Sequence, residues 1–461
     1  MRDAPTRLAL ATIVTAALAL RVAHVASVAA FEAAHVAPGL DRWLQMEIAR
    51  AVAGGDWLGG PLAPYESAPA YALGLGILYR LGGGRWLVPI VLQAVLGALA
   101  PLALYATGRM LASARTGLLA AALAAAYGPA IFYEGLTVKF ALMPFAVSAL
   151  LYASAAATTS RRWQLAAAAA GAATAVLVAL RLNAIVVLPV VAAWIARARS
   201  PAVATRALLL FGLGLVAIAA PLALRRALAA AHGEAASLWG IHFYVGSRLD
   251  GDGGYTVVPG VTDDVFGHVD DARALAEASR GRQLTPAEVS RYWLGRGLEE
   301  IRGDPAAYLV LEGRKLRRLL APREEDVFGD DYAVYAARSL VLRAGLTFGA
   351  VAPLAMLGLV LVTMRRAPLG WCVAVAAAYA ASLLVFFVTS RYRLPVVPPL
   401  LLCAGVALAW LADLRARPLA FAAAAGGLSL AAWGALGAPP SDVLRLLALV
   451  AVAGLAGQRA T

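Results

Sequence analysis

The sequence is poor in charge, in cysteine and in histidine. Asp, Glu, Lys and Arg make up 15% of its 461 residues against 61% hydrophobic ones, and the mean hydropathy is +0.74. That balance excludes a soluble globule. Both cysteines, Cys372 and Cys403, fall inside apolar segments. They read as small hydrophobes, not as a disulfide or a metal site. The histidines are His24, His35, His232, His242 and His268, with no pair at metal-ligand spacing and no HExxH. No protein-held metal is expected from them. Walker and Rossmann signatures are also missing, which leaves no cradle for a soluble nucleotide-sugar. No cleavable signal is evident, and the first apolar stretch reads as the first of many.

What is present is a long series of apolar segments, each near the ~20 residues that a bilayer core requires. They run over 6–29, 86–108, 116–132, 139–158, 163–180, 182–196, 203–226, 343–364, 368–388, 394–412, 417–435 and 441–457. About twelve spans are expected, with 163–196 either two short spans or one helix broken at "RLN" (Arg181–Asn183). The net charge of +13 is carried by residues that punctuate these segments, so it reads as topology and not as nucleic-acid binding. With Arg2 and Arg7 placed in the cytoplasm, the alternate connections carry Arg109 and Arg115, Arg161 and Arg162, Arg197, Arg199 and Arg206, Arg365 and Arg366, and Arg415 and Arg417. Arg459 then puts the C-terminal end on the same side, following the excess of basic residues in cytoplasmic loops.

Two long connections, ~30–85 and ~228–341, face outward on this reading. So do Lys139, Arg181, Arg391 and Arg393, whose charges the topology rule does not require. Snorkelling to headgroups is one reading of such residues. Several cations at one membrane face also suit an anionic ligand, most simply a phosphate. In "SRYRLPVVPP" (390–399), Pro395 should rigidify the corner. An extended turn lets Arg391 and Arg393 reach one phosphate with Tyr392 facing away, whereas a helical turn lets only one do so.

The first outer loop reads "GLDRWLQMEIARAVAGGDWLGGPLAPYESAPAYALGLGILYRLGG". Asp41 precedes an amphipathic pattern over 42–53 that Gly54-Gly55 stops, and a second apolar helical run covers 68–82. Both suit helices lying along the outer interface. In the second loop, helical patterns at 286–302 and 305–320 begin near Pro286 and Pro305. "DGDGGY" (250–255) lacks the spacing and closing Glu of an EF-hand and reads as a Gly-rich turn. The basic run "GRKLRRLLAPR" suits a membrane surface.

An Asp just after the first membrane segment, followed by "IARAVAGGDW" and "APAYALGLGILYRLGG", resembles the first loop of C-type (GT-C) glycosyltransferases. Within that class it resembles the bacterial branch of the protein O-mannosyltransferase and aminoarabinose transferase superfamily, family 39-like. "IHFYVGSRLDGDGGYTVVPG", "RQLTPAEVSRYWLGRGLEEIRGDPAAYLVLEGRKLRRLLAPREEDVFGDDY" and "SRYRLPVVPP" follow in the order such proteins show. The resemblance covers most of the chain.

It implies an all-α integral membrane fold, a GT-C-like bundle with interfacial helices and a mainly helical outer region. It also implies transfer of a sugar, with inversion, from a polyprenyl-phosphate donor to an acceptor hydroxyl on a protein, lipid or glycan. Asp41 takes the role of general base, since a positioned carboxylate can accept the hydroxyl proton; helix capping is its structural alternative. Glu134, in "FYEGLTVKFAL", either orients the acceptor or pairs with a cation such as Lys139. Arg391, Arg393, Tyr392, Lys139, Arg181, Glu66 and Tyr65 are assigned to the lipid phosphate and sugar. Glu66 stands where aminoarabinose transferases carry an acidic-basic-proline triplet, but "YESAP" lacks the lysine, which argues against that donor.

The chain divides into an N-terminal membrane module (1–227) holding the catalytic loop, an extracytoplasmic region (228–342) and C-terminal membrane helices (343–461). No cofactor is expected, with a divalent cation left open. Two readings compete. A secondary transporter should show repeated halves, and none is visible. A non-catalytic polyprenyl-lipid-binding protein should tolerate Asn at position 41. No nucleic-acid partner is expected.

Overall fold

The computed structural model describes residues 4–34, 41–197, 200–229, 237–324, 331–414 and 418–456. Arg2, His35, Arg199, His232, Arg415, Arg417 and Arg459 therefore lie outside the described residues. Helices and short 3-10 turns carry the architecture, and no strand occurs among the described residues. A single bridge joins Tyr127 to Leu346.

The long helix α1 (Ala4–Ala34) is followed by two loop helices, α2 (Asp41–Gly54) and α3 (Pro69–Leu81), near the expected positions. Seven more helices complete the N-terminal part: α4 (Leu87–Leu111), α5 (Ala114–Ala125), α6 (Gly128–Glu134), α7 (Met143–Thr159), α8 (Trp163–Leu180), α9 (Val187–Arg197) and α10 (Pro201–Ala229). The second long connection, called the outer region after its expected side, supplies α11 (Trp239–Ser247), α12 (Gly267–Arg280), α13 (Pro286–Gly303), α14 (Pro305–Leu319), α15 (Tyr332–Ala336) and α16 (Leu340–Ala344). The chain then returns through α17 (Phe348–Met364), α18 (Gly370–Leu384), α19 (Val397–Leu414), α20 (Pro418–Leu430) and α21 (Pro440–Ala456).

Six helices among the described residues are long and apolar enough to cross a membrane: Ala4–Glu32, Leu87–Leu111, Lys139–Thr159, Trp163–Leu180, Pro201–Ala229 and Val397–Leu414. They make this a multi-pass helical membrane protein. The other expected runs form shorter apolar helices among the described residues, including Phe348–Met364 and Gly370–Leu384, and some of them are interrupted. The run 116–132 breaks between α5 and α6 at Ala126 and Tyr127, and Pro129 in the first turn of α6 suits a new helix start. The freed backbone is not lost: Gly128 N–H donates to Leu346 O at 2.8 Å, and Leu346 N–H to Ala126 O at 2.8 Å. At "RLN" the extended Arg181 (φ −157°, ψ 115°) ends α8, and a 3-10 turn over Leu182–Val186 leads into α9. The run 163–196 is thus divided at the expected point, with Trp163–Leu180 long enough by itself to cross a membrane.

Close helix contacts replace a hydrophobic driving force inside lipid. The crossing of α8 and α10 uses paired glycines. A Cβ at Gly171 would lie 1.9 Å from Phe211 O, and one at Gly214 would lie 1.9 Å from Ala168 O. Backbone meets backbone there, so alanine at either position must push the helices apart.

The outer region docks on the ends of the membrane helices through specific bonds. Thr285 and Glu288 form a capping box that starts α13, and Trp293 Nε1 donates to Ala272 O at 3.0 Å, joining α13 to α12. Lys315 of α14 donates to Leu384 O, the last residue of α18, at 2.7 Å. Val388 N–H donates to Gly253 O at 2.9 Å. The segment after α18, with its two arginines, is therefore held from both sides.

Candidate functional site

Asp41 opens α2, and the residue after it fixes where α2 begins. Arg42 pairs with Glu32 near the end of α1, and Glu32 also accepts a hydrogen bond from the Tyr335 hydroxyl of α15. Glu32 and Arg42 are both buried. A buried charge pair completed by a third hydrogen bond resists displacement, so this clamp locates Asp41 between α1 and the outer region.

The Asp41 carboxylate has two partners. Its Oδ2 lies 3.2 Å from Lys139 Nζ, and its Oδ1 accepts from the Ser67 hydroxyl at 3.2 Å. Lys139 also donates to Ser67 Oγ at 2.8 Å, which closes a triangle. Among the described residues no α2 amide donates to Asp41, so these contacts, and not helix capping, account for its orientation. The side chain keeps 32% exposure. Burial alone would raise its carboxyl pKa, but the Lys139 ammonium and the Arg391 guanidinium outweigh burial and hold it below the usual carboxylate range. The group is ionised at neutral pH and can accept a proton.

Three cations surround a pair of rings beside this carboxylate. Lys139 and Phe140 sit in the 3-10 turn Lys139–Leu142 that enters α7, and Arg391 and Tyr392 sit in the 3-10 turn Ser390–Arg393 before α19. The Phe140 and Tyr392 ring centroids are 5.5 Å apart. Arg181 lies 3.4 Å above the Tyr392 ring, and Arg391 lies 5.1 Å from Phe140. The break that ends α8 is what frees Arg181 to reach this point: its Nε donates to Asn183 Oδ1 at 2.9 Å, and Asn183 donates to Ser382 Oγ at 2.8 Å. Guanidinium groups are attracted to aromatic faces in this way.

Arg393 departs from its expected role. It turns away, pairing with Glu324, donating to the carbonyls of Ala321 and Arg323, and lying 4.1 Å above Phe348. The cause is the turn type. A 3-10 turn has three residues per turn, so successive side chains diverge and two arginines spaced by one cannot share a face. Tyr392 faces the cations, not away from them.

The other expected residues lie at different junctions. Glu134 pairs with Arg21 of α1 at 2.5 Å, with both side chains 2% exposed. The lysine five residues further on pairs with Asp41 instead. Space for Glu134 comes from Gly97 of α4, where a Cβ would fall 2.3 Å from its Cδ. Gln93 donates to Glu134 O at 3.0 Å and to Leu136 O at 2.9 Å, holding the turn. Glu66 accepts from Arg225 at 2.6 Å, and Arg225 Nε also donates to Trp57 O at 2.8 Å, tying the first loop to α10. The Tyr65 hydroxyl donates to Asp270 at 3.3 Å, and its ring meets Phe266 edge-on at 5.1 Å.

Thus Asp41, Lys139, Arg181, Arg391 and Tyr392 come together, whereas Glu134, Arg393, Glu66 and Tyr65 make structural contacts elsewhere. Sequence reasoning missed Ser67, Phe140 and the Glu32–Arg42 clamp. Ser67 stands within "YESAP" and Phe140 follows Lys139, so adjacency to residues already singled out was the signal available. No group of three or more His, Cys, Asp or Glu among the described residues could hold a metal ion. In "DGDGGY", Asp250 pairs with Arg248 at 2.5 Å, and Asp252 pairs with Arg318 while accepting from Gly254 N–H at 2.9 Å. The turn is closed by ion pairs.

No family model matches the chain, and no curated protein matches it. Among solved structures it is similar to the archaeal oligosaccharyltransferase AglB from Archaeoglobus fulgidus in complex with an inhibitory peptide and a dolichol-phosphate. That match has a TM-score of 0.46 and 12% identity over 98% of this chain and 56% of the other. The Archaeoglobus fulgidus oligosaccharyltransferase in complex with Zn and sulfate gives a TM-score of 0.46 and 15% identity over 96% and 53% of the two chains. The chain spans about half the length of these proteins. Function is therefore read from the residues of the site.

Proposed function

We propose that this chain is a membrane glycosyltransferase of the GT-C, family 39-like kind, moving a sugar from a polyprenyl-phosphate donor to an acceptor hydroxyl on the extracytoplasmic side. The observation that carries this reading is one ionised, partly exposed carboxylate, Asp41, set beside three cations, Lys139, Arg181 and Arg391. Guanidinium and ammonium groups gathered at one point suit a phosphate.

Each group has a part in the transfer. Asp41 accepts the proton as the acceptor oxygen attacks the anomeric carbon. The bond from that carbon to the phosphate oxygen breaks, and the electron pair leaves with the lipid phosphate. Arg391 and Arg181 stabilise the charge gathering there. Attack from the side opposite the leaving phosphate inverts the anomeric centre, as in two-carboxylate inverting hydrolysis. Lys139 bridges the two halves of the site, holding Asp41 in the resting state and free to share its donors with the phosphate once that group arrives.

The test is transfer by the purified protein in nanodiscs, using polyprenyl-phosphate hexoses and pentoses with hydroxyl-bearing peptide and glycan acceptors. Turnover by the wild type, lost in Asp41→Asn while folding and donor binding persist, supports the reading. Donor binding without turnover under any pairing favours a non-catalytic lipid-binding protein, and directional flux of the lipid across a bilayer favours a transporter.

A further inference from the structure

His242 of α11 is one of the side chains that the outer region brings towards the Asp41 site. A line of ring contacts leads to it. Tyr392 lies 5.6 Å from Phe387, Phe387 meets His242 edge-on at 5.7 Å, and His242 lies 5.8 Å from His268. Arg181, stacked on Tyr392, stands at the other end of that line. The placement is fixed by two close approaches of α11. A Cβ at Gly246 would lie 2.5 Å from the Phe386 carbonyl carbon, and one at Gly240 would lie 2.0 Å from Ser290 O. Backbone is pressed against backbone on both sides of His242, so the ring cannot drift.

His242 differs from the other buried imidazoles. His24 Nδ1 is bonded to the Ser339 hydroxyl at 3.0 Å, and His268 Nε2 to the Tyr255 hydroxyl at 3.1 Å. His242 is half-buried, and none of the described residues makes a hydrogen bond to its ring. Burial, then the charges of His268, Arg181 and Lys139, push its pKa down to about 3. The ring is neutral, so one nitrogen donates and the other accepts. A sugar hydroxyl offers the same two functions in reverse. The sugar is bonded directly to the phosphate, whereas the acceptor approaches through Asp41, so a group beside the cation cluster meets the sugar first.

We propose that α11 supplies the sugar subsite, with His242 hydrogen-bonding a hydroxyl of a hexose or pentose whose phosphate rests among Lys139, Arg181 and Arg391. This rests on the glycosyl-transfer reading, and two kinds of probe separate the two. Affinities are measured in nanodiscs for bare decaprenyl phosphate and for decaprenyl phosphate carrying mannose, glucose, galactose or arabinose. The wild type should bind at least one sugar-bearing probe about tenfold more tightly than the bare lipid, the increment of one well-made hydrogen bond. His242→Ala should bind every probe as it binds the bare lipid, with bare-lipid affinity and melting temperature unchanged. His242→Asn, which keeps a donor and an acceptor, should restore part of the preference. A wild-type preference that survives in His242→Ala overturns the inference. So does a wild type with no preference, or a variant that loses bare-lipid binding and thermal stability together. A wild type that binds none of the probes overturns the glycosyl-transfer reading and takes this inference with it.

Discussion

Two carboxylates near the same turn of chain meet opposite fates. Glu134 and Arg21 form a closed pair, each 2% exposed, with one charge cancelling the other. Asp41 and Lys139 lie further apart, at 3.2 Å, and keep 32% and 12% exposure, with Arg181 and Arg391 nearby. The first arrangement is dry on both sides. The second keeps its carboxylate partly exposed beside several cations. Burial of an ion pair is weak evidence of function, whereas a reachable carboxylate in such company can meet a ligand. Arg391 and Arg393 repeat the contrast within one turn: the first joins the open site, and the second closes a buried pair with Glu324.

The largest effect expected from this contrast is on turnover. Asp41→Asn should lower the transfer rate by about 10²–10⁴-fold, because an amide accepts no proton, with the melting temperature near that of the wild type. Glu134→Gln should do the reverse, altering stability while leaving the rate of the folded fraction intact. Rates normalised to folded protein check both, and equal rate losses would erase the distinction between open and closed carboxylates.

The second effect is on stability. Arg21→Ala strands the Glu134 carboxylate in a dry site, and removing one member of a buried pair costs roughly 3–5 kcal/mol. Replacing both, as Arg21→Met with Glu134→Gln, should recover most of that loss, because no uncompensated charge remains. Thermal unfolding in nanodiscs measures the series. A double variant no better than Arg21→Ala would assign Arg21 a role besides pairing.

The third concerns the two arginines. Arg391→Ala should weaken binding of decaprenyl phosphate by roughly 10- to 100-fold, the worth of one or two charge-assisted hydrogen bonds. Arg391→Lys should fall between, since lysine lacks the paired donors. Arg393→Ala should destabilise the protein and leave lipid affinity of the folded fraction unchanged. An Arg393 variant with the larger affinity loss would reverse the assignment.

The long spans, the two first-loop helices and the proline-initiated helices of the outer region were legible in the sequence, because each depends on local pattern. Pairings across long separations were not. Lys139 is the cation nearest Glu134 along the chain, but the partner is Arg21, 113 residues away. Only the notch at Gly97 lets α4 come close enough for Glu134 to turn inward. Arg42 sits on the polar side of an amphipathic pattern and reads as solvated until α2 folds back on Glu32. The fates of Arg391 and Arg393 hung on whether the turn before Pro395 is extended or 3-10, which proline two residues on does not dictate. His242 lies within "IHFYVGSRLDGDGGYTVVPG", but nothing in that stretch singles it out, and the tertiary ring contacts do.

The smallest effect expected is a displacement along the pH axis. Asp41 ionises below the usual carboxylate range because Lys139 and Arg391 favour its charged form more than burial opposes it. The base is therefore already deprotonated well into mild acid, and the acidic limb of the rate profile should lie below the ordinary aspartate value of about 4. Lys139→Met removes one of the two favouring charges and leaves burial in place. The protonated form gains, so the limb should move to higher pH. Arg391→Lys keeps a cation near Asp41 and should move it less, even though it weakens phosphate binding more than a point charge alone would suggest. Transfer rates at saturating donor, followed from neutral pH down to well below the ordinary aspartate value of about 4, measure the limb. A Lys139→Met limb that stays in place, or moves to lower pH, would mean that Asp41 is not the titrating base, and the comparison between the open and the closed carboxylate would then rest on exposure alone.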